Sequence, residues 1–287
     1  MNTSTRLAGF GVALVAVLGI GAGVGATIGP DASTGPDDTA EAPAPEGGGV
    51  VAAAEGYRLV PASPTLAADG GPFRFTIAGP SGEPATRFTE VHDRPLHLIV
   101  VNRELTSFEH VHPTLDEGGT WTVELPALAP GSYRAVADFM IDGGPRLALG
   151  TDLSVAGSYR PAELPDPTFT ASVDGYTVRL DTDRDDTGEV RATLVVTKDG
   201  RPVDLEPYLG AFGHLVALRA GDLAYAHVHP ADEHSAEPAP GTVVFDATLD
   251  VEGRYGLFLD FKHDGVVHTA SFTFDQGAVT GAGEMEH

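Results

Sequence analysis

His214-Leu-Val-Ala-Leu-Arg-Ala-Gly-Asp-Leu-Ala-Tyr-Ala-His-Val-His-Pro230 consists of two strand-like runs separated by a short polar segment. If Arg219–Asp222 is a four-residue hairpin loop, pairing continues outward from the loop until His214 faces His227. Directly opposed residues lie on one face of the sheet, and a residue two positions further along returns to that face. The stretch therefore predicts a β-hairpin whose open end brings His214, His227 and His229 together.

The same arrangement occurs earlier in the chain. His97-Leu-Ile-Val-Val101 is followed by Phe108-Glu-His-Val-His-Pro113, and in both copies the first histidine precedes the second by thirteen residues and the third by fifteen. Each copy is followed by a similar fifteen-residue segment, residues 119–133 and 241–255. The spacing predicts an internal duplication, in which His97, His110 and His112 form the counterpart triad.

Alternating apolar and polar residues are typical of β-strands throughout both copies. Phe73–Ile77, Trp121–Leu125 and Tyr176–Leu180 show this alternation, and Asp-Gly turn signals such as Asp199-Gly200 and Asp264-Gly265 punctuate the chain. About seven short strands per hundred residues indicate an immunoglobulin-like or cupredoxin-like β-sandwich. We predict an all-β protein of two tandem sandwiches, with the histidines on the apolar, core-facing side of the hairpins.

The N-terminal sequence predicts export. Leu7–Pro30 is uncharged and long enough to span a bilayer, while Val24-Gly25-Ala26 offers small residues for cleavage, so both a signal peptide and an uncleaved anchor helix are open. Either outcome predicts a secreted or membrane-anchored protein of the cell envelope. The predicted segments are, in order, this signal or anchor, a disordered acidic tether rich in Pro and Gly, the first sandwich, a linker, the second sandwich and a flexible tail. Their bounds are residues 1–26, 27–56, 57–157, 158–167, 168–275 and 276–287.

Composition excludes several kinds of partner and site. The formal net charge is −24, and the lysines are Lys198 and Lys262, so the surface repels nucleic acid and anionic lipid. There is no cysteine, which excludes disulfides, a lipidated cysteine and a blue-copper centre. The apolar core of each sandwich must therefore stabilise the exported protein without disulfide bonds.

The repeated histidines are candidate metal ligands, because neutral imidazoles suit Cu(II) and Zn(II). Asp-Phe recurs five residues after each fifteen-residue segment, and Asp138 and Asp260 are candidates for the carboxylate that orients a ligating histidine. The alternative is that both triads are packing elements and both carboxylates cap the backbone. The predicted ligands are His97, His110, His112, His214, His227 and His229, with one divalent ion expected in each triad.

The remaining histidines lack a counterpart in the other copy. His263 and His268 flank the Asp264-Gly265 turn and could add a peripheral site. The others are expected to have no role in a site; they are His92, His234 and His287.

Four stretches carry a resemblance to a known group of proteins. They are Arg94-Pro-Leu-His-Leu-Ile-Val-Val101, Phe108-Glu-His-Val-His-Pro113, Leu205-Glu-Pro-Tyr-Leu-Gly-Ala-Phe-Gly-His-Leu-Val216 and Phe258-Leu-Asp-Phe-Lys-His-Asp-Gly265. The chain resembles poorly characterised exported actinobacterial proteins that are often considered alongside extracytoplasmic copper-handling domains. The resemblance implies an immunoglobulin-like fold and an envelope location, and it implies no activity. His-Val-His is also similar to an element of copper–zinc superoxide dismutases, whose disulfide cysteines and wider ligand cluster this chain lacks.

Three functions are compatible with the sequence. The first is a non-enzymatic protein that buffers or delivers Cu(II) or Zn(II). The second is a structural or interaction module that docks a membrane protein partner. The third is a zinc hydrolase or copper oxygenase, because three histidines and an open position can activate water. No candidate base or nucleophile recurs at repeatable spacing, so the sequence favours the first function and assigns no catalytic residue. The oligomeric state is left open.

Overall fold

The computed structural model describes residues 44–184, 189–231, 239–249 and 251–277, including the backbone but not the side chain of His227. Within these ranges the regular secondary structure consists of strands, as the alternating pattern predicts. No helix among the described residues is long and apolar enough to cross a membrane. The predicted signal or anchor segment, residues 27–43 of the tether and residues 278–287 of the tail lie outside the description. Residues Ala42–His287 form one compact unit.

The first repeat is built from two antiparallel sheets. One has the strand order β1-β2-β4-β9-β8; the other has the order β3-β11-β10-β6-β7, with β5 paired to β10 and β3 parallel to β11. The strands are β1 (Ala53–Ala54), β2 (Tyr57–Pro61), β3 (Thr65–Leu66), β4 (Gly71–Ala78), β5 (Phe88–Thr89), β6 (Leu96–Asn102), β7 (Phe108–Val111), β8 (Thr114–Leu115), β9 (Thr120–Leu125), β10 (Gly131–Ile141) and β11 (Arg146–Val155).

The second repeat repeats this plan, but its two layers are joined by one strand. The strand order is β12-β13-β14-β18-β17-β16-β19-β20, with β15 paired to β14. The strands are β12 (Thr170–Val173), β13 (Tyr176–Arg184), β14 (Glu189–Lys198), β15 (Arg201–Pro202), β16 (His214–Arg219), β17 (Tyr225–Pro230), β18 (Thr242–Thr248), β19 (Gly253–His263) and β20 (Val266–Gln276). Each repeat has its own apolar core between its layers.

A tyrosine corner marks the same place in both repeats. Tyr133 lies near the start of β10, is 1% exposed, and donates its hydroxyl to the carbonyl of Ala129 at 2.9 Å. Tyr255 lies near the start of β19 and donates to the carbonyl of Val251 at 2.8 Å. A tyrosine that bonds the backbone a few residues upstream is a hallmark of immunoglobulin-like sandwiches. The chain therefore folds as two tandem immunoglobulin-like domains, which confirms the predicted fold class.

The central strand of each repeat is buried on both faces. On β6, Leu98 points into the first core, while Ile99 and Val101 belong to a third apolar cluster. On β16, Val216 and Leu218 belong to the same third cluster. His97 and His214 share this second face of β6 and β16, so they point towards the other repeat. The prediction that they face the core of their own sandwich is wrong, because an apolar run buried on both sides offers no alternation by which to tell its faces apart.

We call this third cluster the seam, because its residues come from both repeats. Phe108 stacks on Phe258 with ring centroids 4.0 Å apart and planes within 4° of parallel. Fully burying an apolar side chain of this size stabilises a fold by roughly 1.5–3 kcal/mol, so the seam holds the repeats together as a third core. Its buried members are Ile99, Val101, Leu105, Val136, Ala148, Val216, Leu218, Leu223 and Phe258.

Residues 46–51, which the sequence assigns to a disordered tether, are bound to both repeats. The amide of Gly49 donates to Ala148 O at 2.9 Å, and the amide of Tyr225 donates to Gly48 O at 2.8 Å. A Cβ at Gly150 would lie 1.7 Å from Gly49 O, so only glycine permits this approach. The tether prediction is therefore wrong for residues 46–56. Backbone atoms make this contact, so the polar, Gly-rich composition of the segment does not predict it.

Both hairpins are shifted by two residues from the predicted pairing. His110 lies opposite Ile99 rather than His97, and Tyr225 rather than Leu223 lies opposite Leu218. The amide of Arg219 donates to Ala224 O at 2.9 Å, so the four-residue loop starts one position later than the sequence suggests. Because a shift of two residues keeps each side chain on its face, the predicted grouping of His97, His110 and His112 survives the error.

The two repeats differ in where the chain crosses between layers. In the first, β7 stays beside β6 through Val111, and the chain joins the other layer only at β8. In the second, β17 pairs with β16 through Ala226, and from His227 onward it pairs with β18. The crossing therefore comes before the equivalent histidines in the second repeat and after His110 in the first.

Candidate metal site at the boundary between the repeats

Three histidines of the first repeat meet at the seam. Nδ1 of His97 lies 3.1 Å from Nε2 of His110 and 3.1 Å from Nε2 of His112. Each offers one ligand atom, and these atoms all lie within 4.8 Å of one another. His97 comes from β6, His110 from β7, and His112 lies just beyond β7. The predicted clustering of this triad is confirmed; the binding of metal to it is a proposal.

Hydrogen-bond partners fix the tautomers of two of these rings. Nε2 of His97 lies 2.9 Å from the carbonyl oxygen of Val91, which can only accept, so this nitrogen carries the proton and Nδ1 carries a lone pair. Nδ1 of His110 lies 2.7 Å from Oδ2 of Asp260, and in the neutral ring this leaves a lone pair on Nε2. With both rings neutral, the two lone pairs face each other across 3.1 Å.

Asp260 orients His110 from the other repeat. It lies on β19, and its second oxygen accepts the hydroxyl of Thr269 at 2.6 Å. The side chains of His110 and Asp260 are 4% and 5% exposed. A carboxylate that accepts from the remote nitrogen of a metal-ligating histidine is a common arrangement in metal sites. Asp260 thus fills the orienting role that the sequence predicts for it, but towards the first triad rather than its own.

Two further imidazoles surround the triad. The ring centroid of His214 lies 6.4 Å from those of His97 and His110, and that of His92 lies 5.4 Å from His214. Nε2 of His214 lies 3.0 Å from Tyr208 O, which repeats the bond of His97 to a carbonyl six residues upstream. The sequence places His214 in a second triad and gives His92 no role. The position of either ring beside the triad cannot be predicted from the sequence, because it depends on the contact between the repeats.

Burial keeps several of these rings neutral. Desolvation, and next the nearby His110, lower the pKa of His97 well below its ordinary value. The same two causes lead in lowering the pKa of His112 to about 3 and that of His214 to about 4. Neutral imidazole is the form that ligates metal, so the rings are ready to bind without first losing a proton at neutral pH.

A cavity of about 40 Å³ adjoins the triad. Such a volume holds a water-sized or ion-sized guest, which needs about 10–15 Å³. Its lining includes four histidines and three other polar residues, which are His92, His97, His110 and His214 with Asp138, Arg146 and Tyr225. Two members of the triad, His97 and His110, therefore border this cavity.

A family model described as Domain of unknown function (DUF8832) matches the chain twice, at residues 52–156 and 171–278. The chain belongs to this family. Its two DUF8832 domains correspond to the two sandwiches, and no curated protein matches the chain. The comparisons lend no support to the link with copper-handling domains that the resemblance implies.

Solved structures similar to this DUF8832 protein include domains 5–6 of the S-layer protein SbsC, at 12% identity, covering 76% of this chain and 95% of that one with a TM-score of 0.21. The Ig1-2 module of the Drosophila receptor protein tyrosine phosphatase DLAR is 10% identical, with 76% and 96% covered and a TM-score of 0.20. A putative membrane-anchored protein from Corynebacterium diphtheriae is 11% identical, with 76% and 58% covered and a TM-score of 0.22. The architecture given above rests on the strands and tyrosine corners themselves.

The second predicted triad of the DUF8832 protein is divided between two environments. His214 lies on β16 at the seam, whereas His227 and His229 pair with Thr248 and Asp246 of β18 in the other layer. Nε2 of His229 lies 3.7 Å from Glu189. Among the described residues, His97, His110 and His112 form the one group of three able to hold a metal ion. Hairpin geometry predicts a second such group only if β17 stays beside β16.

Asp138 has different partners from its counterpart Asp260. It pairs with Arg146 through two hydrogen bonds of 3.2 and 3.0 Å and accepts from the hydroxyl of Tyr225 at 3.3 Å. Both Asp138 and Arg146 are buried. Asp138 therefore balances a buried guanidinium, and its side-chain partners described above are Arg146 and Tyr225 rather than a histidine. Its role beside a metal ligand stays a prediction.

His263 and His268 lie near each other at the far end of β19 and β20. Nδ1 of His263 lies 2.8 Å from the hydroxyl of Tyr176, and Nδ1 of His268 lies 2.7 Å from Asp174. The two histidines thus take part in local hydrogen bonds around the Tyr176 ring. His234 and His287 lie outside the described residues.

Proposed function

We propose that this protein binds one divalent transition metal ion, Cu(II) or Zn(II), through His97 Nδ1, His110 Nε2 and His112 Nε2. Asp260 holds His110 in the required tautomer from the second repeat. The ligand set is all imidazole, which suits both ions and disfavours Ca(II) and Mg(II), whose preferred ligands are oxygens. The protein would buffer or deliver the ion rather than catalyse a reaction.

The observation that carries this proposal is the pair of opposed lone pairs on His97 and His110. Two lone pairs at 3.1 Å repel each other unless a metal ion or a proton lies between them. In a tetrahedral site with metal–nitrogen bonds near 2.0–2.1 Å, two ligand nitrogens lie about 3.3 Å apart. The nitrogens are thus already close to the separation that a bound ion requires, and the partners of both rings hold them there.

One ion per chain replaces the two that the sequence predicts. The second site is lost from the proposal because the layer change at His227 removes two of its three ligands from His214. The proposed site is also shared, since three ligands come from the first repeat and the orienting carboxylate from the second. Its affinity should therefore depend on both repeats.

We place the proposed function outside the cytoplasm. The support is the uncharged N-terminal stretch, followed by an acidic segment rich in proline, which is typical of exported chains. Metal ions there are not held by an abundant thiol pool. A histidine site without cysteine suits such an oxidising compartment.

The experiment is a metal titration of the purified full-length chain after chelator treatment, followed by calorimetry and elemental analysis. We expect one tightly bound ion. The His110→Ala/His112→Ala double variant should lose it, whereas the matched His227→Ala/His229→Ala variant should keep it. For Cu(II), EPR should show nitrogen ligation that disappears in the first double variant alone. Two ions, or loss of the ion in the second double variant, would refute the proposed site.

The alternative is a structural role, which the His110–Asp260 contact itself favours. A proton on His110 Nε2 would also satisfy His97, and the pair with Asp260 would then be a buried ion pair that locks the repeats together. In that case the chain would serve as an envelope module that docks a membrane protein partner. Metal binding no stronger than that of a generic acidic protein would favour this alternative.

A further inference from the structure

Access to the triad is restricted, and this raises the question of how an ion arrives. His97 is 6% exposed and the side chain of His110 is 4% exposed. The third ligand, His112, has Arg94 close enough for its charge to lower the pKa of that ring, and this charge repels an approaching cation. The cavity on the other side is lined by His92 and His214 together with His97 and His110, so these two further rings border the same space as the triad.

His92 occupies a backbone position that disfavours it. Val91 and Arg94 exchange two backbone hydrogen bonds, of 2.9 and 3.2 Å, around a two-residue turn in which His92 and Asp93 have φ of 50° and 59°. Such turns favour Asn-Gly or similar pairs, because both central residues need positive φ. In the matching turn of the second repeat, Tyr208–Ala211, Leu209 stands where His92 does and has φ of 55°, and Gly210 follows it at φ 80°.

Both repeats have a non-glycine residue at this position, and only its chemistry differs, since the imidazole of His92 can ligate a metal ion and the side chain of Leu209 cannot. The ring of His92 lies 5.4 Å from His214 of the other repeat and 6.1 Å from His97 of the triad. Asp93, next to it, is exposed and comes within reach of the Gly210 turn. An acidic residue at the rim, then two imidazoles, then the triad is a graded series of ligands from solvent to site.

We propose that His92 and His214 form a capture pair, which binds a divalent transition metal ion transiently and passes it to His97, His110 and His112. This inference rests on the proposed function. Because the capture pair holds the ion only on the way in and on the way out, it acts on both rates equally. It leaves the equilibrium affinity of the triad unchanged.

The test is stopped-flow measurement of Zn(II) binding and release by the full-length chain, with a chromogenic chelator as competitor. His92→Asn is the variant of choice because asparagine tolerates positive φ and should keep the turn. His214→Gln retains an N–H that can reach the carbonyl of Tyr208. Asp199→Asn, at another exposed position with positive φ, is the matched control.

We expect both histidine variants to slow association and dissociation by the same factor, on the order of tenfold, which is the size of effect that residues around a metal typically have. The control should change neither rate. A change in affinity would make the residue a permanent ligand and overturn the capture pair, and so would unchanged rates. If the wild-type chain binds no ion, the proposed function itself is wrong, and this result differs from either of those.

Discussion

The two repeats carry their histidines at identical spacing, yet only the first brings three of them together among the described residues. The difference lies in one strand. In the first repeat, Pro113 is followed six residues later by Gly119, and the tight turn from Asp116 to Thr120 leaves β8 only two residues long. In the second, Pro230 is followed eleven residues later by Gly241, and β17 pairs with β18 from His227 to Pro230. A spacing motif therefore specifies a site only when the strand that carries it stays in one sheet.

The same contrast extends to the two aspartates. Asp138 and Asp260 occupy equivalent positions, each opposite the first histidine of its own repeat. One pairs with a guanidinium inside its repeat, and the other reaches across the seam to His110. The duplication thus produced two equivalent carboxylates, and they have different roles because different residues surround them. Substitutions at the two aspartates and in the histidine site test whether the two repeats have separate roles.

The largest expected effect is on stability, from Asp138→Ala. This change removes the carboxylate that pairs with the buried guanidinium of Arg146, and breaking a buried ion pair costs about 3–5 kcal/mol. Chemical denaturation monitored by circular dichroism measures the loss. Metal affinity, measured under conditions where the variant is folded, should stay within the error of wild type. A large loss of affinity in this variant would mean that the two aspartates are not functionally separate.

The next effect is a loss of stability in acid by the metal-free protein. In the unfolded chain histidine titrates near pH 6.5, whereas in the fold the pKa of His112 is about 3 and that of His214 about 4. The unfolded state therefore binds more protons below pH 6.5. Stability is full above that pH and declines as pH falls towards the folded values.

Each of these two histidines contributes a slope of about 1.4 kcal/mol per pH unit, so stability should fall by roughly 2–3 kcal/mol between pH 6 and pH 5. Denaturation at a series of pH values measures this slope. Replacing His214 by Gln should remove its own contribution to the slope, about 1.4 kcal/mol per pH unit, and leave those of His112 and His97. A slope that His214→Gln leaves unaltered would show that the acid sensitivity arises elsewhere.

A third effect concerns metal affinity in Asp260→Ala. Removing the carboxylate frees His110 to take the other tautomer, and such losses lower metal affinity about 10–100-fold, or about 1.4–2.7 kcal/mol. Calorimetric titration with Zn(II) measures the change. Asp246→Ala, which removes a carboxylate opposite His229 in the other layer, is the control and should leave affinity unchanged. Equal losses in both variants would point to a general effect of charge.

The smallest expected effect concerns the tyrosine corners, a feature that the two repeats share. Tyr133→Phe and Tyr255→Phe each remove one hydroxyl hydrogen bond of the tyrosine corners, and each should cost about 0.5–1.5 kcal/mol. Each bond joins a tyrosine hydroxyl to the main-chain carbonyl four residues upstream, so we expect similar losses of stability. Equilibrium denaturation of both variants measures them. Clearly unequal costs would show that the repeats differ in their framework as well as in their histidines.

The sequence predicts the fold well because local patterns determine it. Alternation along Phe73–Ile77 and Trp121–Leu125 and the Asp-Gly turns depend only on nearby residues, and they give the strands of both sandwiches. The first triad is also predictable, since a register error of two residues preserves the face. Contacts between the repeats are not predictable in this way. Asp260 on His110, His214 beside the triad and residues 46–51 against β11 all join distant parts of the chain through surfaces that carry no local pattern.

The seam has a consequence for how the site depends on concentration. His110 and Asp260 belong to separate domains, so two unlinked domains would have to associate before the contact could form, and the site would dissociate on dilution. Here the linker of residues 158–167 makes that association intramolecular, where short tethers give effective concentrations in the millimolar range. A metal site assembled within one chain would be as complete at the lowest concentration as at the highest.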